Sequence, residues 1–241
     1  MKSQIADLLS IGEGCVVAIV GCGGKSSFAE LLARELSDKK VLVSPTARMF
    51  PMRADGVILC ETLQQCAEHV PQTGIQCLGS IDPANGKLGA LPERMLSDMI
   101  AQYDVALLEA DGSKGLPCKG WLDSEPVVPA YCTHTVGIVA ISALGKPATE
   151  TTVHRLPEFL SLTGLREGET ITARALEAMI CAPQGMFRKS AGRRYLLVNQ
   201  VEDETAADAA RTLLQEIKQK RPGVFTRLIY GSIHQDSWRE V

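Results

Sequence analysis

A glycine-rich turn followed by a lysine and two serines is the segment of the chain with the clearest chemical potential. Its residues are Gly21, Cys22, Gly23, Gly24, Lys25, Ser26 and Ser27. Glycines let backbone N–H groups converge on a phosphate, and the helix expected to follow adds partial positive charge at its start. In such a turn Lys25 would reach the terminal phosphates, and the Ser26 hydroxyl would bind Mg²⁺. We therefore predict that these residues bind ATP or GTP together with Mg²⁺.

The spacing of this turn departs from the commonest phosphate loop. The pattern G-x-x-x-x-G-K-[ST] requires a glycine at position 19, where the chain has Ile19. The turn reads G-x-G-G-K-S-S instead, and it resembles the compressed phosphate loop of the peptidoglycan-precursor amide ligases. An alternative interpretation is a tight turn before a helix that happens to begin with lysine. Because apolar strand, glycines, Lys-Ser and amphipathic helix follow in the expected order, the sequence favours nucleotide binding.

Two carboxylates follow a second apolar run, with Glu109 at its end and Asp111 two residues later. Doubly wound folds place catalytic groups at the carboxyl ends of buried strands. In phosphate-loop proteins one such carboxylate holds Mg²⁺, and a cation also relieves the repulsion between two buried carboxylates. A simple turn at Asp111 would leave Glu109 unexplained. We predict Ser26, Glu109 and Asp111 as metal-binding residues, and Lys25, Glu109, Asp111 and Lys114 as catalytic residues.

Further polar positions carry weaker signals. The segment S-P-T-A-R follows the second apolar run, and its Thr46 or Arg48 could face the γ-phosphate or the substrate, although a surface turn explains the segment nearly as well. Asn199 opens the motif N-Q-x-E, where many phosphate-loop proteins have the base-binding motif N-K-x-D. Base recognition and capping of the next helix are both compatible with Asn199, and guanine specificity is not predicted. The cations expected to meet an anionic substrate are Lys114, Lys119, Lys146 and Arg155.

The elements that must position these residues alternate between strands and helices. Continuous apolar runs predict strands that are buried on both faces, and they cover 15–20, 40–44, 56–60, 75–80, 105–109, 136–142, 195–198 and 225–230. Helical periodicity is found at 26–37, 63–69, 92–102, 156–163, 173–180 and 205–219. This alternation predicts an α/β fold with a doubly wound, mostly parallel sheet, similar to the P-loop NTPases.

The motifs span most of the 241 residues and must converge on one edge of the sheet. We therefore predict a single phosphate-loop domain over 1–241, with a small helical insert or cap at approximately 150–190. The longest irregular stretch, 111–135, contains Trp121 and Tyr131, and we expect it to be ordered and functional.

Composition and charge exclude several classes of protein. Lys and Arg number 25 against 28 Asp and Glu, so a broad nucleic-acid-binding surface is not expected. The sequence has no run of about 18 apolar residues, which a membrane-spanning helix would need. The first residues also lack the apolar stretch of a signal peptide, so we expect a cytoplasmic protein. The eight cysteines are scattered and form no CxxC, which predicts core thiols rather than zinc ligands or disulfides. Cys22 differs from the others in lying inside the phosphate loop.

Several ordered motifs resemble the YqeC family, which is associated with selenium cofactor biosynthesis and accessory proteins of selenium-dependent hydroxylases. The motifs are G-C-G-G-K-S-S, S-P-T-A-R-M-F-P, L-E-A-D-G-S-K-G-L-P-C-K, A-L-G-K-P and V-H-R. The resemblance covers roughly residues 8–205, and E-A-D-G-[SA]-K is its most specific part. The family usually has Thr at the position of Ser26, a Thr-rich run at 44–47 and N-K-x-D at 199–202. Serine in place of threonine keeps the hydroxyl.

The resemblance implies a role in maturing selenium-dependent molybdenum hydroxylases. It also implies a nucleotide-like or molybdopterin-like intermediate, with a molybdenum hydroxylase or another maturation factor as partner. The residues alone predict a Mg²⁺-dependent nucleotide phosphohydrolase or phosphotransferase acting on a small anionic substrate. A non-catalytic carrier of a phosphorylated molybdopterin-type cofactor is the alternative, because the short loop and the degenerate N-Q-x-E motif both permit it. An ATP-dependent ligase is disfavoured, since the chain is too short for the three domains of the peptidoglycan-precursor amide ligases.

Overall fold

The structure is a computed structural model that describes residues 5–241, so the first four residues of the predicted domain lie outside the described part. The strands are β1 (Cys15–Gly21), β2 (Lys40–Pro45), β3 (Arg48–Met49), β4 (Val57–Cys60), β5 (Gly74–Leu78), β6 (Ser80–Asp82), β7 (Lys87–Gly89), β8 (Val105–Glu109), β9 (Cys118–Lys119), β10 (His134–Ala140), β11 (Val153–His154), β12 (Arg193–Asn199), β13 (Arg227–Ser232) and β14 (Ser237–Glu240). The helices are α1 (Ile5–Leu8), α2 (Lys25–Glu35), α3 (Leu63–Glu68), α4 (Glu93–Ile100), α5 (Leu156–Thr163), α6 (Ala173–Cys181) and α7 (Glu204–Lys220).

A nine-stranded sheet forms the centre of the fold, in the order β14-β13-β12-β10-β1-β8-β2-β5-β4. All neighbouring strands are parallel except β13 and β14, which pair antiparallel. The predicted mixed α/β class and the mostly parallel sheet are therefore confirmed, and the arrangement is consistent with a P-loop NTPase-like fold. Two small sheets accompany it, one of β3, β7 and β6 and one of β9 and β11.

The strand order places the two chemical motifs side by side. Strand β8 lies between β1 and β2, and Ile19 near the end of β1 is in register with Glu109 at the end of β8. Strand β10 pairs with the other side of β1. Because the parallel strands end at the same edge of the sheet, the glycine-rich turn at the end of β1 meets Glu109 at the end of β8 and Asp111 just after it.

Side chains that alternate along β1 pack into two cores, one on each face of the sheet. Val16, Ala18 and Val20 join a core that includes buried residues of α3 to α7. Val17 and Ile19 join a second core with Phe28 and Leu32 of α2 and with residues of α1. Burial on both faces is the physical reason that the strand sequence is continuously apolar rather than alternating.

The boundaries differ from the prediction at several points. The apolar run predicted at 136–142 begins as a strand two residues earlier, and its end turns into a short 3₁₀ helix over Ile141–Ala143. The segment predicted as a strand over 75–80 divides between β5 and β6. The prediction did not include α1, the two small sheets or β14. Within residues 5–241, no helix has the length and apolar character needed to span a membrane.

Candidate functional site

The turn after β1 can be formed only because glycines occupy it. Gly21, Gly23 and Gly24 have φ angles of +98°, +86° and +129°, a region that L side chains rarely adopt. A Cβ atom at Gly23 would also collide with the Cβ of Ala140, and one at Gly24 would lie 2.7 Å from Asn199 Nδ2. The neighbouring strand ends therefore pack directly against the backbone of this turn.

Helix α2 begins immediately after these glycines, with Gly24 as its N-cap. Among the described residues, no side chain caps this helix start. The first N–H groups of a helix have no partner within the helix and carry partial positive charge. Ser26 and Ser27 are exposed in this first turn. The start of α2 thus offers donors to an anion from outside the fold.

The Lys25 side chain folds back over the turn. Its Nζ donates to the Gly21 carbonyl oxygen at 2.7 Å and lies 3.3 Å from Asp111 Oδ1. Ser113 Oγ lies 3.4 Å from the same Nζ. Burial disfavours the charge of Lys25, but the nearby carboxylates of Asp111 and Glu109 outweigh this effect and raise its pKa. Lys25 is therefore charged and is held beside the turn by these contacts.

Asp111 is fully buried and is the centre of a network of donors. Its Oδ2 accepts hydrogen bonds from Trp121 Nε1 at 2.7 Å and from the Gly21 N–H at 3.2 Å. Lys119 Nζ lies 3.5 Å from Oδ2, while Lys25 is next to Oδ1. Two ammonium groups and two neutral donors therefore surround this one carboxylate, which fixes the turn after β1 relative to the segment after β8.

Glu109 is the carboxylate that lies next to the serine of the turn. Ser26 Oγ donates to Glu109 Oε2 at 2.8 Å. Burial raises the pKa of Glu109, although the charge of Lys25 and the Ser26 hydrogen bond oppose this effect. A hydroxyl and a carboxylate oxygen are the ligand types that Mg²⁺ takes from a protein when phosphates supply other ligands. The residues therefore fit Mg²⁺ bound together with a nucleotide, better at Ser26 and Glu109 than at the already surrounded Asp111.

The described residues contain no group of three or more His, Cys, Asp or Glu side chains arranged to hold a metal ion. A site with two protein ligands is of a different kind, because its metal ion depends on the phosphates of the nucleotide.

A chain of alternating charges connects Asp111 to the surface. Lys119 Nζ lies 3.1 Å from Glu125 Oε2, and Arg155 binds both oxygens of Glu125 at 3.0 and 2.9 Å. Lys119 itself has no exposed side chain and also donates to the Gly112 carbonyl oxygen at 2.6 Å. Burial opposes the charge of Glu125, but its two cationic partners lower its pKa below the usual value. These ion pairs connect three parts of the segment 111–135, at Asp111, Lys119 and Glu125, with Arg155 before α5.

Three adjoining clefts open at this edge of the sheet. The first, of about 480 Å³, lies over Gly23, Gly24, Lys25, Ser26 and Glu109, and we call it the phosphate cleft. On one side it continues into a cleft of about 300 Å³ lined by Asn199, Gln200, Glu202, Ser232, Ile233 and His234. On the other side it shares Arg48, Lys87, Gly112 and Lys114 with a cleft of about 580 Å³.

The structure brings most of the predicted site residues together, but in different roles. Lys114 is exposed and lines two clefts, so it can contact a ligand. Thr46 is buried, and its hydroxyl donates to the Val127 carbonyl at 2.6 Å, so its side chain is engaged in holding the 111–135 segment. Asn199 donates to the Gly23 carbonyl at 2.8 Å and accepts from the Ile233 N–H at 3.0 Å, which ties the turn to the segment after β13.

Two of the cations expected to meet a substrate do not lie in these clefts. Lys119 is fully buried, and its ammonium group is paired with Asp111 and Glu125 in the ion chain. Lys146 is exposed but is not among the residues lining the three clefts of the described chain. Arg155, in contrast, lines the 580 Å³ cleft, where it meets Glu125.

Cys22 is part of the hydrophobic core despite its place in the glycine-rich turn. Its side chain has no exposed surface, and burial raises the pKa of its thiol to about 12. A neutral, inaccessible thiol is a poor nucleophile and a poor metal ligand. All eight cysteines are free, and the six that are buried fit the predicted role of core residues.

For several residues that the fold brings to the site, the sequence gives no local signal of the contacts they make. Trp121 and Glu125 lie in the segment 111–135, and their contacts with Asp111 and Arg155 span 10 and 30 residues. Lys87 comes from β7 of a small sheet that was not predicted. The E-A-D-G-S-K-G-L-P-C-K motif carried a signal for Lys119, but only the folded loop shows that this lysine is a buried partner of Asp111.

We expect His154 to make the stability of the protein depend on pH in a defined range. Burial and the charges of Lys119, Arg155 and Lys114 lower the pKa of His154 from 6.5 to about 4, and Glu125 opposes them only in part. The unfolded chain therefore binds a proton that the folded chain lacks between pH 6.5 and about 4, so this contribution to stability is lost as the pH falls through that range. Urea unfolding at a series of pH values should show that the free energy of unfolding falls more steeply with decreasing pH in the wild type than in His154→Gln. Parallel plots of this free energy against pH for the two proteins would contradict the role of His154.

Comparison with known proteins finds the same family that the sequence motifs resemble. A family model described as "YqeC protein" matches residues 17–157, which include the glycine-rich turn, the carboxylates after β8 and the cations of the 580 Å³ cleft. A curated protein of Escherichia coli (strain K12), described as "Uncharacterized protein YqeC", is 31% identical over 228 residues. The alignment covers 90% of this chain and 88% of the relative.

Proposed function

The chain belongs to the YqeC family, and we propose that it binds a nucleoside triphosphate with Mg²⁺ in the phosphate cleft and uses it on a small anionic second substrate. ATP and GTP are the two candidate nucleotides. Asn199, the first residue of the predicted base motif, uses its side chain to hold the turn and the segment after β13.

The contact between Ser26 and Glu109 is the observation that carries this proposal. A serine at the start of α2 and a carboxylate at the end of β8 are 83 residues apart in sequence, yet their oxygens lie 2.8 Å apart. Next to them are the charged Lys25 and an uncapped helix start. Donors for phosphate and oxygen ligands for a divalent cation therefore face one cleft, which is the combination that phosphoryl transfer uses.

The residues of this cleft would act mainly by positioning and by balancing charge. The first N–H groups of α2 would hold phosphate oxygens, and Lys25 would move from the Gly21 carbonyl towards the terminal phosphates. Ser26 and Glu109 would hold Mg²⁺, which supplies neutralisation of the phosphate charge. Asp111 keeps Lys25 and the turn in place and is better described as a positioning residue, while Lys114 faces both the phosphate cleft and the 580 Å³ cleft.

The proposed biological role is the maturation of selenium-dependent molybdenum hydroxylases, with nucleotide consumption at the phosphate cleft. This role is proposed from the resemblance of the sequence motifs and not from the geometry of the site. A carrier of a phosphorylated molybdopterin-type cofactor would use the same donors without turnover. Phosphate release from ATP or GTP in the presence of candidate acceptors separates the two, since a carrier binds the cofactor saturably and releases no phosphate.

We expect Glu109→Gln to remove the dependence of nucleotide binding on Mg²⁺. The glutamine keeps the shape of the side chain and can still accept the Ser26 hydrogen bond, but it is a poor ligand for Mg²⁺. Calorimetric titration should show an affinity for the Mg²⁺ nucleotide at least about tenfold lower, with Mg²⁺-free binding unchanged. Stability should not fall, because a neutral side chain avoids the burial of charge that raises the pKa of Glu109.

Glu61→Gln is the matched control for this experiment. Glu61 also follows a parallel strand of the main sheet, directly after β4, but it pairs with Arg53 and not with the phosphate cleft. This variant should bind the Mg²⁺ nucleotide like the wild type. Equal Mg²⁺ dependence in Glu109→Gln and in the wild type would exclude Glu109 as the metal ligand.

A further inference from the structure

The 580 Å³ cleft beside the phosphate cleft has a distinctive charge. We call it the cationic cleft, because four cationic side chains and one carboxylate line it: Arg48, Lys87, Lys114, Arg155 and Glu125. The chain as a whole has a formal net charge of −3. Cations concentrated in one cleft of an acidic protein raise the local concentration of anions and attract them selectively.

Two of these cations are held in an unfavourable backbone conformation. Lys114 and Arg155 have φ angles of +52° and +59°, in the left-handed region that glycine adopts more readily. Arg155 has a partner in Glu125, which accounts for part of its placement. For Lys114 the described part of the chain provides no hydrogen bond or ion pair, so no internal contact explains why a lysine occupies the position. Residues in such conformations are concentrated at functional sites.

The surrounding clefts leave the cationic cleft available for a second molecule. The phosphate cleft continues on its opposite side into the cleft of about 300 Å³ beside Asn199, which offers room for the remainder of a nucleotide. The cationic cleft meets the phosphate cleft only at shared residues that include Lys87 and Lys114. A ligand there would lie directly next to the terminal phosphates, where the acceptor of a phosphoryl group must lie.

We infer that the cationic cleft binds the second substrate, and that this substrate is a small molecule with at least two negative charges from phosphoryl or carboxylate groups. The inference rests on the proposed function, because it identifies the partner of the nucleotide in the same site. Arg48, Lys87 and Lys114 would bind the charges directly. Arg155 would contribute one edge of its guanidinium group while Glu125 holds the other.

The test is a heteronuclear NMR titration of the full chain with inorganic pyrophosphate and, separately, with citrate. Both probes are polyanions, and together they distinguish phosphoryl from carboxylate recognition. We expect saturable shifts of the Lys87, Lys114 and Arg155 amides for at least one probe. Binding should weaken at least about tenfold in Lys114→Gly and in Arg48→Gln, because each variant removes a charged donor. Lys146→Ala removes an exposed lysine outside the clefts and should bind like the wild type.

The unfolding midpoint separates a binding role of Lys114 from a structural one. Glycine fits the left-handed conformation, so Lys114→Gly should fold as stably as the wild type while it loses affinity for the anion. A loss of stability in step with the loss of affinity would overturn the inference. The absence of saturable shifts in the cationic cleft for both probes would also overturn it.

The same titration distinguishes failure of the inference from failure of the proposed function. Shifts confined to residues 23–27 would show that the anions bind only the phosphate cleft, and the inference would be wrong while the nucleotide proposal stands. Shifts at Lys114 and Arg155 in a protein that binds no ATP or GTP would support the anion site and contradict the nucleotide proposal.

Discussion

Lys25→Met is expected to lower the free energy of unfolding by about 3 kcal/mol and to abolish most of the affinity for Mg²⁺ nucleotides. The substitution leaves the buried Asp111 without the ammonium group 3.3 Å from its Oδ1. Breaking a buried ion pair typically costs about 3–5 kcal/mol. We expect the lower end of that range, because Lys119 stays 3.5 Å from Oδ2. Urea unfolding measures the stability, and calorimetry should show a loss of affinity of about 10- to 100-fold.

The double variant Lys25→Met/Asp111→Asn separates the two effects. An asparagine still accepts hydrogen bonds from Trp121 and from the Gly21 N–H, and it leaves no uncompensated charge next to the methionine. We expect most of the lost stability to return, while nucleotide binding stays as weak as in Lys25→Met. If the double variant recovered binding together with stability, Lys25 would act only through the fold and would not be the phosphate-binding lysine.

Gly23→Ala is the second substitution with a large expected effect. The residue has a φ of +86°, and the new Cβ would collide with the Cβ of Ala140 and lie 2.9 Å from its backbone nitrogen. The left-handed conformation costs about 1–2 kcal/mol for an L residue, and overpacking adds about 1–3 kcal/mol. We expect a total loss of about 2–5 kcal/mol in urea unfolding. Nucleotide binding should weaken as well, because the turn must move away from β10.

Gly145→Ala is the matched control for this variant. Its φ of +83° is nearly the same, but nothing lies within 4 Å of the added Cβ. The control should therefore lose only the conformational part, about 1–2 kcal/mol, and bind nucleotide like the wild type. Equal losses in the two variants would show that the close approach of Gly23 to β10 does not restrain the turn.

The central sheet could be predicted from the sequence because its strands are buried on both faces. Residues 15–20 are apolar without interruption, since alternate side chains enter different cores, and the same holds for 105–108. Helix α5 was predicted with its observed boundaries, 156–163. Strand β14 was missed because it lies at the edge of the sheet with mostly exposed side chains, so that it has no apolar pattern.

The candidate site could be predicted only where function and local sequence coincide. The glycines, Lys25 and Ser26 are contiguous, and Glu109 ends a buried strand, so each carried a local signal. Glu109 contacts Ser26, whereas Asp111 contacts the two lysines, and these contacts give the two carboxylates different roles. The spacing of the two residues in the sequence does not determine which carboxylate makes which contact. The cationic cleft combines residues from β3, β7 and two loops. Their proximity is a result of strand order, which one sequence does not contain.

Titration of the wild-type chain with ATP and with GTP, each with and without Mg²⁺, tests the central claim most directly. Ser26, Glu109 and the charged Lys25 face one cleft at the start of α2, so the account predicts saturable one-to-one binding of at least one nucleotide that weakens when Mg²⁺ is removed. Calorimetry reads out the affinity, the stoichiometry and the Mg²⁺ dependence together. No saturable binding of either nucleotide with Mg²⁺ would contradict the account.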